Sequence, residues 1–172
     1  MGFVFAAVFL WLARPNPRSL GLSLLLVLPG LWLRGYASGY VRKNAELTTT
    51  GPYAHTRNPL YLGSMLIASG FALAAWNAWI FLALAVLFAV IYIPTIQSEE
   101  AYLRTHFVGF DDYARAVPRL FPRITPARLG PKPPERGSFS GTLYLRHREY
   151  NAAMGAAAIY IALAVRLLFL AP

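Results

Sequence analysis

GPYAHTRNPLYLGSMLIASGFALAAWNAWIFLALAVLFAVIYIPTIQSEE, residues 51–100, sets a polar turn, two long apolar runs and a pair of glutamates in one line. Gly51-Pro52 marks a turn, and Pro59 stands where the first turn of a helix tolerates a missing N–H. The run Pro59 to Ala75 predicts one helix. Trp76-Asn77-Ala78-Trp79 predicts a tight connection whose tryptophans suit a membrane interface, and Trp79 to Gln97 predicts a second helix kinked at Pro94. Such a hairpin brings Gly51–Gly63 and Gln97–Leu103 out on the same face, so the two clusters least suited to lipid stand side by side.

The rest of the chain agrees with a lipid solvent. Of its 172 residues 57% are hydrophobic and only 13% charged, more apolar surface than a soluble domain of this size hides. Sixteen Lys and Arg against seven Asp and Glu give a formal charge of +9. On an apolar chain this basic excess points to cytoplasmic loops facing anionic headgroups before it points to nucleic acid. The absence of cysteine excludes disulfides, thiolate metal sites and cysteine nucleophiles, and no metal-ligand spacing is expected elsewhere. Gly2 to Ala13 lacks preceding basic residues and a small-residue cleavage site, so it reads as a short first membrane helix and not as a signal peptide. A second apolar segment runs from about Ser19 to Val41, with Gly35, Ser38 and Gly39 near its end where small residues allow close helix approach.

Past the hairpin, Ser98 to Ala116 turns amphipathic. Ile96, Leu103 and Phe107 recur at helical spacing among charges, which predicts a helix leaving the bilayer. Arg119 to Ser140 is rich in Pro, Gly and Arg and reads as an extended loop. Asn151 to Leu170 is a last apolar helix, its first half small enough for close packing against another helix. The expected fold is therefore all-α: a single polytopic membrane domain over 1–172 with about five transmembrane helices and a cytoplasmic amphipathic helix and loop. It divides into an N-terminal hairpin at 1–41, a motif region at 51–122, a basic loop at 123–148 and a C-terminal helix at 151–171.

Thirteen of the sixteen basic residues fall in 34–58 and 98–148, Lys43, Lys132 and Arg136 among them, against Arg14 and Arg18 in the first loop. The positive-inside rule puts both rich segments in the cytoplasm, with the N-terminus inside and the C-terminus outside the cell membrane.

Two clusters carry candidate chemistry. Arg57 and the start of a helix at Pro59 suit a carboxylate or phosphate, with Tyr53, His55, Asn58 and Tyr61 adding hydrogen-bonding groups. The plainer alternative is that Arg57 snorkels to lipid phosphate, Asn58 caps the helix and Tyr61 anchors at the interface. Glu99 and Glu100 suit an ammonium or ribose; the plainer alternative is an i,i+4 pair between Glu100 and Arg104. His106 and His147 read as surface residues. No Ser-His-Asp set, phosphate-binding P-loop or GxGxxG occurs.

Together the clusters resemble the isoprenylcysteine carboxyl methyltransferase and phospholipid N-methyltransferase superfamily of membrane enzymes. The motif-bearing residues are Gly51-Pro52-Tyr53, Arg57-Asn58-Pro59-Leu60-Tyr61-Leu62-Gly63, Glu99-Glu100-Ala101-Tyr102-Leu103 through Phe107, Tyr113, and Val117-Pro118-Arg119 through Pro122. The resemblance implies S-adenosylmethionine bound at the cytoplasmic helix ends, with Tyr53, His55, Arg57, Asn58, Pro59, Tyr61, Leu62, Gly63, Glu99 and Glu100 as cofactor-binding candidates. Arg57 suits the cofactor carboxylate, Glu99 or Glu100 its ammonium or ribose, and Tyr53 and Tyr61 its adenine or sulfonium. A displacement at a sulfonium methyl needs positioning more than an acid–base dyad. His55 is the weak catalytic candidate, as the one nearby group with a suitable unperturbed pKa.

Two positions depart from the family pattern. Asn58 replaces its histidine, and Thr95-Ile96-Gln97-Ser98 stands where prenylcysteine enzymes have an arginine. The acceptor implied is a lipophile arriving between helices: a prenylcysteine-like carboxylate, a phospholipid amine or another small lipophile. The competing readings are a membrane NADPH-dependent sterol-type reductase, which would be expected to be longer and more basic, and a non-enzymatic membrane protein.

Overall fold

The computed structural model describes residues 2–42, 45–129 and 137–169, with side chains of the first helix described from Ala6 onward. Lys43, Lys132 and Arg136, counted above as loop charges, lie outside the described residues, as do 170 and 171 of the predicted last helix. The described chain is all-α: α1 (Gly2–Leu12), α2 (Pro17–Ser38), α3 (Pro59–Ala75), α4 (Ala78–His106), α5 (Phe110–Ala116), α6 (Gly141–Arg146) and α7 (Tyr150–Phe169), with a 3₁₀ turn at Gly51–Ala54. By length and composition α2, α4 and α7 are able to cross a membrane, while α3 is a shorter apolar helix. With α1 they make the five apolar helices of a polytopic membrane protein.

Local chemistry explains the boundaries. Asn16 caps α2 by accepting from the Ser19 backbone N–H at 2.9 Å, and the Ser19 hydroxyl accepts from Asn16 N–H at 3.0 Å. Trp76 ends α3 in the left-handed region, and Asn77 caps α4 by accepting from Trp79 N–H at 2.9 Å. The tight connection is tied to α1, since Asn77 Nδ2 donates to the Leu12 carbonyl at 2.8 Å.

The α2–α3 pair is the most extensive helix contact. Its close approach occurs where Gly30 faces Gly63: a Cβ on Gly63 would lie 2.6 Å from Arg34 Cγ and 2.9 Å from the Gly30 carbonyl oxygen. The predicted close-approach residues serve elsewhere. Gly39 packs against the Phe139 ring and Gly35 faces Tyr144, so both receive the 137–146 segment and not a spanning helix. Ser19 and Ser23 add polar ties, to the Ala74 carbonyl at 3.0 Å and the Tyr160 hydroxyl at 2.6 Å.

Three features were not foreseen. Just before Pro94, α4 winds as a π turn over Phe88–Tyr92. A proline N cannot bond the carbonyl four residues back and its ring crowds that carbonyl, which wider winding relieves. The amphipathic helix over 98–116 is two helices: α4 runs on to His106, and Gly109, at φ 90°, starts α5. A short helix, α6, lies inside the segment read as basic loop. Along α7 only Ala156 and Leu163 are buried, and a Cβ on Gly155 would meet nothing within 4 Å. Within the small-residue half, Ala156 packs with Val27 of α2 and Phe71 of α3, while Gly155 borders open space.

Candidate functional site

The site is assembled by a strap. Residues 118–127 run along 54–57, with Arg57 N–H donating to the Pro118 carbonyl at 2.9 Å, Arg123 N–H to His55 O at 3.0 Å and Ala127 N–H to Ala54 O at 2.9 Å. The Thr56 hydroxyl lies 3.2 and 3.0 Å from the carbonyls of Arg119 and Leu120. Beneath it Phe110, Tyr113 and Val117 form a small apolar cluster, and the Tyr113 hydroxyl donates to the Tyr53 carbonyl at 2.9 Å. Burial pushes both phenols above their ordinary range; the Arg57 charge opposes this at Tyr113. Both hold their protons across the physiological range.

Glu100 is the hub between the two sequence clusters. Its carboxylate is buried and accepts from Arg119 Nε and Nη2 at 3.1 and 2.9 Å and from Asn58 Nδ2 at 3.3 Å. Arg57 Nη1 stands 3.4 Å away. The alternative Glu100–Arg104 pair does not form; Arg104 bonds Asp111 at 2.8 Å. Asn58 does not cap α3 with its side chain. Its amide instead gives its two protons to Glu100 and to the Arg119 carbonyl, 3.0 Å away.

A cavity of about 350 Å³ opens beside this hub. Of the predicted residues, Tyr53, Arg57, Asn58, Pro59, Tyr61 and Glu99 line it. His55, Leu62, Gly63 and Glu100 do not: His55 Nδ1 is 2.8 Å from the Arg123 carbonyl, Gly63 faces α2, and Glu100 is taken up by the hub. Arg57 is nearly buried and its Nε–H has no hydrogen-bond partner. Glu99 takes part in none of the ion pairs among the described residues.

A second cavity, about 610 Å³ and largely apolar, lies between α1, α3, α4 and the small-residue half of α7. Arg34, Ser64 and Tyr92 line both cavities and form their junction. Arg34 is held by Glu149 through Nε and Nη2 at 3.0 and 2.9 Å, and it also donates to the Ser64 hydroxyl. Tyr92 packs edge-on to Tyr61. Sequence reasoning assigned none of these junction residues. An arginine inside the apolar run LWLRGY was the available signal for Arg34; nothing around Glu149 marked it.

Fold and site thus define an all-α integral membrane protein with a charged cavity at one end of its helices and an apolar one alongside. Residues 30–108 match the family described as phospholipid methyltransferase, in keeping with the membrane methyltransferases that the motifs of this segment resemble. The nickel-cobalt-cadmium resistance protein NccN of Alcaligenes xylosoxydans xylosoxydans is 41% identical over 95 residues, which is 55% of this chain and 44% of that protein. The cobalt-zinc-cadmium resistance protein CzcN of Cupriavidus metallidurans is 39% identical over 106 residues, 62% of this chain and 48% of that protein. The chain spans about half the length of these curated relatives. No solved structure matches it significantly.

Proposed function

We propose that the protein is an S-adenosylmethionine-dependent methyltransferase acting on a lipophilic acceptor. The observation that carries this reading is the buried, partnerless Nε–H of Arg57 on a cavity that the family segment's two motif clusters share. A buried donor without a partner is costly, and a ligand oxygen relieves that cost. Arg57 stands next to the start of α3, where no side chain caps the first turn, so helix N–H groups and guanidinium together favour a carboxylate. Glu99, outside the ion-pair network, suits the ammonium or the ribose hydroxyls, and Tyr53 and Tyr61 suit the adenine or the sulfonium face. The cavity volume falls within the range of small-molecule sites. These residues fit the cofactor.

S-adenosylmethionine when bound supplies a methyl group on a cationic sulfur, ready for direct displacement. The chain's part is positioning. Arg57 and the α3 start fix one end, Glu100 fixes Arg57 from behind, and Tyr53 and Tyr61 exclude water. The acceptor's tail would occupy the apolar cavity and its head the junction at Arg34, Ser64 and Tyr92. Arg14, Arg18 and Arg166 lie at the opposite end of the helices from the cavity, and the far more numerous arginines of 34–57 and 104–148 lie at its own, which favours a site facing the cytoplasm. Resistance to metals is in the names of the relatives alone, and among the described residues no three His, Cys, Asp or Glu side chains come together as a metal site.

The test is a titration of the detergent-solubilised protein with S-adenosylhomocysteine and, separately, NADPH, following melting temperature. A ligand at a hundred times its Kd stabilises by about 2.7 kcal/mol. Stabilisation by S-adenosylhomocysteine alone, lost in Arg57→Ala, is expected; a folded sample that ignores it overturns the proposal.

A further inference from the structure

The corner between α6 and α7 delivers a carboxylate that lies outside both the motif region and the 30–108 family match. His147 ends α6, and its Nδ1 donates to the Ser38 carbonyl at 3.0 Å, which ties the corner to α2. Arg148 then adopts φ 53°, a left-handed conformation that non-glycine residues rarely take. This sharp reversal turns the next residue, Glu149, back into the bundle. Its side chain is only 11% exposed, lines the charged cavity and is gripped by Arg34 through two hydrogen bonds.

The hydrogen-bond capacity at this pair is unequal. A guanidinium has five N–H donors. Arg34 gives two to Glu149, and Nη1 gives its pair to the Ser64 hydroxyl and, at 3.4 Å, the Leu60 carbonyl, so a single donor on Nη2 is left. A carboxylate offers about four lone-pair sites. Arg34 uses two of those on Glu149. The Arg34–Glu149 pair thus has accepting capacity in hand and one N–H left to give, and the Tyr92 hydroxyl beside it can donate or accept.

We propose that Glu149 receives the acceptor's polar head, and that the acceptor is a lipophile whose nucleophile carries a proton, an amine, hydroxyl or thiol, and not a carboxylate. This rests on the methyltransferase reading of the cavity. A carboxylate arriving from the apolar cavity would find that N–H and the Tyr92 hydroxyl, but it would face the like charge of Glu149. An N–H, O–H or S–H head finds an oxygen already oriented by Arg34 and needs no rearrangement of the pair. Glu149 acts here as a specificity-determining residue through a hydrogen bond; the transfer itself is not assigned to it.

The experiment uses the full chain in lipid nanodiscs saturated with S-adenosylhomocysteine, and four probes with one tail: dodecylamine, dodecanethiol, para-dodecylphenol and dodecanoate. At least one of the first three is expected to raise the melting temperature more than dodecanoate does. Glu149→Gln, which keeps the shape and an acceptor oxygen for Arg34, should erase that ranking while leaving the S-adenosylhomocysteine response in place. Radiolabelled methyl transfer to the preferred probe should fall about tenfold in kcat/KM, the loss of one charge-assisted hydrogen bond. Dodecanoate matching or exceeding the others, no response to any probe, or an unchanged ranking in Glu149→Gln overturns the inference. Should Glu149→Gln fail to fold, the wild-type ranking and Glu149→Asp decide it. A wild-type protein that ignores S-adenosylhomocysteine brings down the methyltransferase reading itself, a result distinct from failure of the ranking alone.

Discussion

Asn58 and Glu100, 42 residues apart, meet across the α3–α4 hairpin with the amide donating to the carboxylate at 3.3 Å. Where the family pattern has a histidine, this chain thus has an amide that supplies one donor to the hub and another to the Arg119 carbonyl. The contact also separates two glutamates that are neighbours in sequence. Glu100 is buried in the hub, and Glu99 faces the cavity.

Glu100→Ala and Glu99→Ala should therefore fail differently. Removing Glu100 leaves Arg57 and part of Arg119 without their partner. Breaking a buried pair costs about 3–5 kcal/mol, and the half-exposed Arg119 places the expectation at the lower end. Glu99→Ala should leave the melting temperature nearly unchanged and weaken S-adenosylhomocysteine binding. Parallel melts with and without ligand read both effects; equal destabilisation by the two would contradict the hub.

Arg57→Lys should not rescue Arg57→Ala. Lysine keeps the charge but loses the Nε–H and the planar fork. A drop in S-adenosylhomocysteine affinity of about tenfold or more is expected for both variants, one charge-assisted hydrogen bond being worth about 1.5–3 kcal/mol. Calorimetric titration checks this, and lysine binding as well as arginine would sink the assignment.

Tyr113 predicts an alkaline limit. Its folded-state ionisation lies above the ordinary value of 10.0 because of burial. Folded and unfolded chains bind equal protons at this site well below that value, so it adds no slope there. Above about pH 10 the unfolded chain loses the proton first, and stability falls as pH rises toward the folded-state value. Melting temperature should be flat to about pH 9 and decline beyond, with Tyr113→Phe showing a shallower decline and a loss near 1 kcal/mol at neutral pH for the missing bond to Tyr53.

Gly63→Ala should destabilise by about 1–3 kcal/mol, because its new methyl would press on Arg34 Cγ and on the Gly30 carbonyl of the facing helix. Gly21→Ala, within α2, meets nothing within 4 Å and should be neutral or stabilising by up to about 1 kcal/mol. Comparing the two melts isolates close approach from helix propensity.

The hairpin was legible because its signals are local: Pro59 and Ala75 bound α3 as read, and Trp76-Asn77 makes the turn. The gathering of Arg57, Asn58 and Glu99 around one space followed from topology, since a hairpin returns its ends to one face. What escaped were features set by distant packing. Arg34 looked like a loop charge until Glu149, 115 residues on, accounted for it. Leu62 and Gly63 sat inside the motif yet face away from the cavity, since adjacent residues on a helix point about 100° apart. The split between α4 and α5 turns on an extended Phe107 and a left-handed Gly109, backbone conformations that composition does not reveal.

The π turn at Phe88–Tyr92 has one more effect, felt two helical turns downstream. It inserts a residue without the rotation that residue would ordinarily bring. Wound as α throughout, the helix from Ile93 onward would be rotated by about 100°, one residue's worth. Glu99 would then point where Glu100 does, and Glu100 would swing past. Which of two chemically alike neighbours becomes the keystone and which the open hand is thus decided inside the bilayer, by an irregularity among residues that carry no charge at all.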